Sequence, residues 1–138
     1  MNELLTYENI AQAILLLTVT AAVFSIIVTS LKNGITPMPS SSAASHILVK
    51  EATNLLKSGI AVEAGSGWGL LSLKLAKALP NCTIVGIENS LVPFLFSKLL
   101  NTIYRQSNLK FLKKNIYTYN YQKTDMIVCY LFPKAMIK

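Results

Sequence analysis

Three glycines at alternate positions, Gly65, Gly67 and Gly69, mark the part of this sequence with the clearest capacity for chemistry. An apolar run that ends in Glu63 precedes them, and a helical pattern follows them. Glycine tolerates positive φ angles and has no Cβ to collide with a ligand. The free N–H groups and the dipole at a helix N-terminus attract electron-rich ligand atoms. This segment therefore predicts a loop that holds a nucleoside cofactor.

A second acid, Glu88, ends the next apolar run along the chain. In doubly wound folds, an acid at the end of the second strand accepts hydrogen bonds from ribose hydroxyls. A dinucleotide fingerprint spaces its glycines as G-x-G-x-x-G, whereas the third glycine here comes one residue early and Leu70 follows it. Glu63 would repel a pyrophosphate but suits a ligand that carries an ammonium and a sulfonium. The pattern favours S-adenosylmethionine over NAD.

The elements that must position these residues follow from the alternation of short apolar runs with longer amphipathic ones. We expect helices at 43–57, 68–79 and 91–105, and strands at 60–64, 83–88, 109–113 and 126–132. A serine, Ser41 or Ser42, is placed to cap the first of these helices. This order predicts an α/β, Rossmann-like doubly wound parallel sheet. About four strands make an incomplete sheet of this kind, so we expect that the missing edge comes from elsewhere or that the domain is truncated.

Composition and charge predict a membrane anchor. Hydrophobic residues make up 52% of the chain and charged residues only 14%, which indicates contact with lipid. Residues 10–31 carry no charge, and about 20 apolar residues are enough to cross a bilayer core. A cleaved signal peptide is the main alternative, but it needs a basic N-terminal region, and all 13 basic residues lie from Lys32 onward. The same charge bias places the part after the helix in the cytoplasm.

The chain therefore divides into four predicted parts. Residues 1–9 form a short N-terminal tail, residues 10–31 a transmembrane helix, residues 32–44 a juxtamembrane linker, and residues 45–138 a cofactor-binding domain. Gly, Pro and Ser in the linker break the helical pattern. We expect a single-pass membrane protein whose domain lies on the cytoplasmic side.

Several features together resemble the successive motifs of class I S-adenosylmethionine-dependent methyltransferases, namely the segment 63–69, Glu88, Asn115 and Asp125. Within that superfamily, the chain more specifically resembles the membrane-anchored ATP synthase c-subunit lysine methyltransferase family and its bacterial relatives. The features that carry this resemblance are the single N-terminal span, the linker 37–42, the segments 63–67 and 111–115, and Pro133 shortly before Met136.

Two positions depart from the pattern of that family. The family commonly has Asp-Gly-Arg after the second loop glycine, where this chain has Trp68-Gly69-Leu70. It also commonly has Asp where this chain has Asn115. Asparagine can still hydrogen-bond to an adenine edge, although it lacks the charge.

The cofactor-binding residues that the spacing and the resemblance imply are Glu63, Gly65, Ser66, Gly67, Gly69, Glu88 and Asn115. Structural alternatives stay open: an acid can complement a helix dipole or cap a helix, and glycine or asparagine can serve a tight turn. Asp125 is expected to be structural. No catalytic residue is assigned, because the methyl donor is already activated and transfer depends mainly on positioning.

No metal site is predicted from the sequence. Cys82 and Cys129 have no second Cys or His at the spacing of metal ligands. Both lie in apolar runs, so we expect both to be buried, reduced thiols. His46, beside the linker, is expected to be a solvated or capping residue.

The leading functional hypothesis is a membrane-anchored methyltransferase that methylates a protein side chain, namely lysine, on a membrane partner. Confinement to the bilayer raises the effective concentration of such acceptors. A lipid or quinone acceptor is the nearest alternative, and a truncated, inactive remnant that binds cofactor or membrane is the alternative of a different class. Nucleic acid is a poor candidate partner, because no Asn-Pro-Pro-aromatic motif follows the last predicted strand and an anionic membrane surface accounts for the basic residues.

Overall fold

The computed structural model describes residues 2–33 and 41–131. Helices and strands follow one another in the order that the sequence predicts. Their bounds are α1 Asn2–Asn33, α2 Ser42–Leu55, β1 Gly59–Ala64, α3 Leu70–Ala78, β2 Cys82–Glu88, α4 Leu91–Tyr104, β3 Leu109–Lys113 and β4 Met126–Cys129.

The strands form one 4-stranded parallel sheet in the order β3-β2-β1-β4. Val62 of β1 pairs with Val85 of β2 on one side and with Ile127 of β4 on the other. The chain moves outward from β1 to β3 and then returns to the opposite side of β1, so the direction of winding reverses between β1 and β4. Such a reversal opens a crevice at the carboxyl ends of the strands, where ligands bind in open α/β sheets. The prediction of an α/β, Rossmann-like parallel sheet is confirmed.

Two hydrophobic clusters cover the two faces of the sheet. On the first face, sheet residues such as Ile84 pack with Leu75 of α3, and α2 and α4 contribute to the same cluster. On the second face, Val62 and Ile87 are covered by Tyr119 and its neighbours from the turn-rich segment after β3. The helices α2, α3 and α4 therefore lie on one face, and a non-helical segment covers the centre of the other.

Most ends of the helices and strands lie within one residue of the predicted positions, and the end of α2, the start of α3 and the end of β4 differ by more. α3 begins at Leu70 instead of residue 68, because Gly69 precedes it with a left-handed φ of 81°. β4 ends at Cys129 instead of residue 132, and its register with β1 stops at the pair of Ala64 and Cys129, where β1 itself ends.

The N-terminal part contains more helix than the sequence predicts. α1 runs from Asn2 to Asn33, so residues 2–9 of the predicted tail and the start of the predicted linker are helical. α2 begins at Ser42, and the Ser41 hydroxyl accepts the N–H of Ala44 at 3.1 Å, which confirms a serine cap. The rest of the linker, 34–40, and the residues 132–138 lie outside the described residues.

The segment Tyr7–Val28 of α1 is long and apolar enough to cross a membrane, with a mean hydropathy of 2.3. None of the most apolar window is buried against the described remainder of the chain, so α1 is not a core helix of the domain. The hydroxyls of Thr18 and Thr20 donate to backbone carbonyls one turn earlier, at 2.7 and 2.8 Å. These bonds reduce the cost of hydroxyls in an apolar helix. α1 touches the domain at α4.

Asp125 joins the first residues of β1 to the start of β4. It lies at the amino ends of the strands, and the crevice lies at their carboxyl ends. Its Oδ2 atom accepts the N–H of Ile60 at 2.8 Å, and its own N–H donates to the carbonyl of Ile60 at 2.9 Å. A Cβ on Gly59 would collide with the Asp125 carboxylate. The structure therefore gives Asp125 the structural role expected of it.

The two cysteines differ in exposure. Cys82 is buried, as expected, but Cys129 is exposed, so the prediction for Cys129 is wrong. Cys129 is the last residue of a strand at the edge of the described sheet, and Val128 is the only buried residue of that strand. His46 is exposed.

Candidate cofactor-binding site

The glycine loop connects the carboxyl end of β1 to the first turn of α3 and is fastened to the end of β2. The N–H groups of Gly65 and Ser66 donate to the carbonyl oxygen of Ile87, at 3.0 and 2.8 Å. The next N–H, that of Gly67, donates to the carboxylate of Glu88 at 2.9 Å. These N–H groups are already used within the protein. They hold the loop in place at the crevice and are not available to donate to a ligand.

The three loop glycines have positive φ angles but different surroundings. The φ angles of Gly65, Gly67 and Gly69 are 77°, 52° and 81°. A Cβ would lie 2.5 Å from the Leu131 side chain at Gly65, and 2.6 Å from the Phe111 ring at Gly69. A Cβ at Gly67 would meet no atom within 4 Å. Gly65 and Gly69 therefore allow close packing within the protein, whereas Gly67 faces open space that a ligand can enter.

Glu88 links the loop to the start of α4. One carboxylate oxygen accepts the N–H of Gly67, and the other accepts the N–H of Ser90 at 2.7 Å. Ser90 is the residue that precedes the first turn of α4, and no side chain caps an N–H of that turn, so the second bond holds the chain at the start of α4 without capping the helix. A carboxylate has about four acceptor positions, and these two bonds leave room for further donors. Glu88 can therefore accept ribose hydroxyls while it holds the loop.

Glu63 is buried, with 3% of its surface exposed, and it contacts the first turn of α3. Its carboxylate accepts a hydrogen bond from the hydroxyl of Ser72. Burial raises the pKa of Glu63 to about 8; hydrogen bonds from the side chain and backbone of Ser72 oppose this rise, and the charge of Glu88 adds to it. The ligand-free protein therefore carries Glu63 mainly in its neutral form at pH 7. A cationic ligand nearby would favour the ionised form.

The hydroxyl of Ser66 is the clearest sign of a binding function in the loop. Ser66 is 6% exposed, and its Oγ atom is buried without a hydrogen-bond partner among the described residues. An unsatisfied buried polar group destabilises the free protein by about 1–3 kcal/mol. Because nearly all buried polar groups in proteins find a partner, this hydroxyl fits a ligand that bears a polar atom.

Asn115 lies in a turn that follows β3. Its Oδ1 atom accepts the N–H of Tyr117 at 2.9 Å, which is the turn-forming role that the sequence left open. The adjacent N–H of Lys114 donates to the backbone carbonyl of Glu88 at 3.1 Å. The turn therefore lies beside the end of β2. The structure brings Asn115 to the carboxyl ends of the strands, where the glycine loop also lies.

Sequence reasoning missed two serines that support the loop. Ser72 of α3 donates to Glu63, and Ser97 of α4 lies against Gly69, where a Cβ would approach it to 2.6 Å. Both serines are fully buried. The only signal in the sequence is a short polar residue on the inner side of an apolar helix. A larger residue at such a position would keep the helix away from the loop and the strands.

No protein-family model matches the sequence, and no curated protein matches it either. Solved structures do share the fold. An RNA methyltransferase from Salinibacter ruber, in complex with S-adenosyl-L-homocysteine, superposes with a TM-score of 0.63 over 70% of this chain and 63% of its own, at 15% identity. Coclaurine N-methyltransferase bound to N-methylheliamine and SAH gives a TM-score of 0.54 over 67% of this chain and 30% of its own, at 19% identity. A protein-L-isoaspartate O-methyltransferase gives 0.57 over 65% and 29%, at 20% identity.

At these identities the similarity concerns the fold and not the substrate. The chain spans less than two thirds of the length of each of these three proteins. The narrower resemblance to c-subunit lysine methyltransferases stays a prediction. The described residues have the Rossmann-like fold of S-adenosylmethionine-dependent methyltransferases.

Replacing the buried acid, Glu63→Gln, should stabilise the ligand-free protein at alkaline pH. In the unfolded chain the carboxyl ionises near its ordinary pKa of 4.5, whereas in the folded protein it ionises near pH 8. The folded state therefore holds an extra proton between these values, and the free energy of unfolding falls as the pH rises through this range. Glutamine keeps an acceptor for Ser72 and cannot ionise. The Tm of the variant, measured in detergent micelles, should exceed that of the wild type above pH 8.

The two Tm values should converge as the pH approaches 4.5, where the wild-type carboxyl is neutral in the folded state and becomes neutral in the unfolded state too. Glu51→Gln, at an exposed position of α2, is the matched control and should not show this pH-dependent difference. A Tm difference between Glu63→Gln and wild type that is the same at every pH would contradict the assigned burial of the carboxyl.

Proposed function

We propose that this chain is a membrane-anchored, S-adenosylmethionine-dependent methyltransferase whose acceptor is a protein lysine on a membrane partner. The observation that carries the cofactor assignment is the unpaired, buried hydroxyl of Ser66, next to the open space at Gly67. A buried hydroxyl that the described protein leaves unsatisfied marks a place for a polar atom of a ligand.

The proposed cofactor contacts come from the loop and from the ends of β2 and β3. Glu88 would accept hydrogen bonds from the ribose hydroxyls, and Ser66 would bond to a polar atom of the cofactor. Gly67 would let the cofactor approach the backbone, because nothing occupies the space where its Cβ would be. The amide of Asn115 would bond to the adenine edge.

The residues around the loop favour a sulfonium cofactor over a dinucleotide. The third glycine comes one residue earlier than in the dinucleotide fingerprint. The N–H groups of Gly65, Ser66 and Gly67 are used by the end of β2, so they are not available to a pyrophosphate. Glu63, when ionised, would attract a cation and repel a phosphate.

S-adenosylmethionine, when bound, supplies a methyl group that is already activated for transfer. The protein then has to hold an acceptor in line and keep that acceptor uncharged. Leu131 lies against Gly65, and the half-exposed Tyr130 precedes it at the same edge of the sheet. An apolar mouth of this kind lowers the pKa of a lysine amine by desolvation, which would provide the neutral nucleophile that transfer needs.

The proposed location is a membrane crossed once by α1, with the domain on the cytoplasmic side. The apolar segment Tyr7–Val28 supports this anchor. All 13 basic residues follow α1's apolar stretch, as the positive-inside rule requires. An anchored enzyme meets membrane-embedded acceptors at a raised effective concentration, which is why a membrane protein is the proposed substrate.

The second candidate is a protein that binds the cofactor or a membrane partner without turnover. Among the described strands, β4 has a hydrogen-bonded neighbour on one side only. An open edge of this kind invites pairing with another strand. If this edge stays unpaired, the domain would be a cofactor-binding module without turnover.

Removing the unpaired hydroxyl, Ser66→Ala, should have opposite effects on stability and on binding. The free energy of unfolding of the ligand-free protein should rise by about 1 kcal/mol, because a buried unsatisfied group is lost. The Kd for S-adenosylmethionine should rise about tenfold, equivalent to about 1.4 kcal/mol of binding free energy. Thermal unfolding and calorimetric titration of the full chain in detergent measure the two quantities.

Ser107→Ala, at an exposed position after α4, serves as the matched control and should change neither quantity. A Ser66→Ala variant that loses stability and keeps its affinity for S-adenosylmethionine would show that the hydroxyl is structural. That result would remove the main support for the cofactor assignment.

Methyl transfer itself is tested with S-adenosylmethionine labelled in the transferred methyl group. Membranes from cells that contain the wild-type chain should incorporate label into protein, and peptide mass spectrometry should locate it on lysine. Glu88→Ala should abolish the incorporation, because it removes both the proposed ribose contact and the bond to Gly67. Glu51→Gln should leave incorporation unchanged.

The distribution of label also separates the alternatives. Label in the lipid extract instead of the protein fraction would replace the lysine acceptor with a lipid or quinone. Binding of S-adenosylmethionine without label in either fraction would favour the second candidate, the cofactor-binding module.

A further inference from the structure

The outer side of α4 carries an apolar stripe that the rest of the described chain leaves uncovered. Leu91, Leu95, Leu99 and Ile103 recur every fourth residue, so they lie along one side of the helix. Their exposed fractions are 45%, 54%, 58% and 64%. Phe96, at 43%, widens the same side. We call these five residues the α4 stripe. Contiguous exposed apolar side chains mark a binding surface for protein or membrane.

Basic residues border the α4 stripe. Lys98 of α4 and Arg105, the residue that directly follows α4, are exposed, and Lys98 lines a shallow groove together with Lys110 of β3. Between residues 89 and 124 the sequence contains no acid at all. The chain thus presents an apolar stripe with basic residues beside it in a segment that contains no acid, which complements an apolar phase bounded by negative charge.

The contact between α1 and α4 brings α4, the helix that carries this stripe, next to the apolar helix. α4 is the element of the domain against which α1 packs. The partly covered residues of the apolar segment of α1 are Ala22, Ser25, Ile26 and Val28, all towards its C-terminal end. The exposed fractions of the α4 stripe are those in the presence of α1, so α1 does not cover the stripe.

We propose that the α4 stripe lies in the interfacial layer of the same bilayer that α1 crosses, with the neighbouring basic residues against anionic headgroups. This inference rests on the proposed anchoring by α1. A helix with an apolar side and basic flanks binds in the plane of a membrane through buried apolar area and through attraction to anionic lipids. Each Lys or Arg near such a surface contributes to this attraction.

A second copy of the chain is a weaker occupant for the α4 stripe. Two stripes placed face to face would bring their basic borders together, and like charges across an interface disfavour association. An anionic bilayer would cover the apolar residues of the stripe, and its headgroups would also neutralise the charges of the basic residues beside the stripe. Because α4 starts just after Glu88 and Ser90, docking of α4 would also hold the cofactor site at a set height above the membrane.

The only tryptophan of the chain reports on this surface without any label. The sequence contains one Trp, and Trp68 stacks edge-on against Phe96, with 5.3 Å between ring centroids. The full chain is reconstituted in vesicles of phosphatidylcholine and phosphatidylglycerol in which part of the phosphatidylcholine is brominated near the headgroup. The fluorescence of Trp68 should be quenched. The quenching should be stronger than in vesicles that contain the same fraction of brominated phosphatidylcholine but no phosphatidylglycerol.

The double variant Leu95→Glu/Leu99→Glu should lose this quenching, because it places carboxylates on the stripe. Ile47→Glu, at a 61% exposed position of α2, is the matched control and should be quenched like the wild type. Titration with S-adenosylmethionine in the same samples reports whether the cofactor site is intact in each variant, independently of the position of α4.

Three results would overturn the proposal. Wild-type protein that floats with the vesicles while Trp68 stays unquenched, or a double variant quenched like the wild type, would separate α4 from the lipid. Loss of a wild-type dimer in the double variant, with no quenching in either, would assign the stripe to a second copy. Wild-type protein that does not float would remove the anchor together with the docking, while cofactor binding in the same sample would still stand.

Discussion

Three consecutive N–H groups of the glycine loop, from Gly65 to Gly67, donate to the end of β2. Ile87 accepts the first two and the carboxylate of Glu88 accepts the third. These bonds fix the loop across the carboxyl ends of two parallel strands, at the point where the sheet reverses its winding. They place Gly67 beside open space, and they join the loop to Glu88, which also accepts the N–H of Ser90 at the start of α4. The remainder of the candidate site depends on them.

The loop region keeps two features that do not favour the ligand-free fold. Glu63 is a carboxyl buried so deeply that its pKa rises to about 8, and Ser66 holds a hydroxyl without a partner among the described residues. Well-packed apolar residues would stabilise these positions better. Strain and unsatisfied groups persist in proteins where function needs them. Their coincidence at the end of β1 and in the loop that follows it is a physical reason to regard the loop as a binding site, independent of any similarity to other proteins.

The fold was largely predictable from the sequence, because strand ends and glycine spacing are local features. The alternation of apolar runs located every strand of the described sheet, and the acids at the ends of β1 and β2 located the crevice. Contacts between distant residues were not predictable. The bond between Glu63 and Ser72, and the packing of Phe111 and Ser97 against Gly69, require the register of the sheet and the angle of α4.

The exposure of Cys129 was missed for a related reason. A run such as the one from Met126 to Cys129 reads as a buried strand, but burial depends on whether neighbours cover both its faces and its outer edge. The same limit applies to α4, whose apolar sequence suggests a core helix although half of its surface is open. Apolar patterns identify a helix or a strand, and only the assembled layers show which of its sides remains uncovered.

We propose that the glycine loop holds a sulfonium nucleoside and not a dinucleotide. Calorimetric titration of the full chain in detergent with S-adenosylmethionine, S-adenosylhomocysteine and NAD, each in turn, tests it most directly. We expect saturable binding of the first two at one site per chain and no heat of binding from NAD. Binding of NAD, or no binding of either adenosyl compound, would contradict the account.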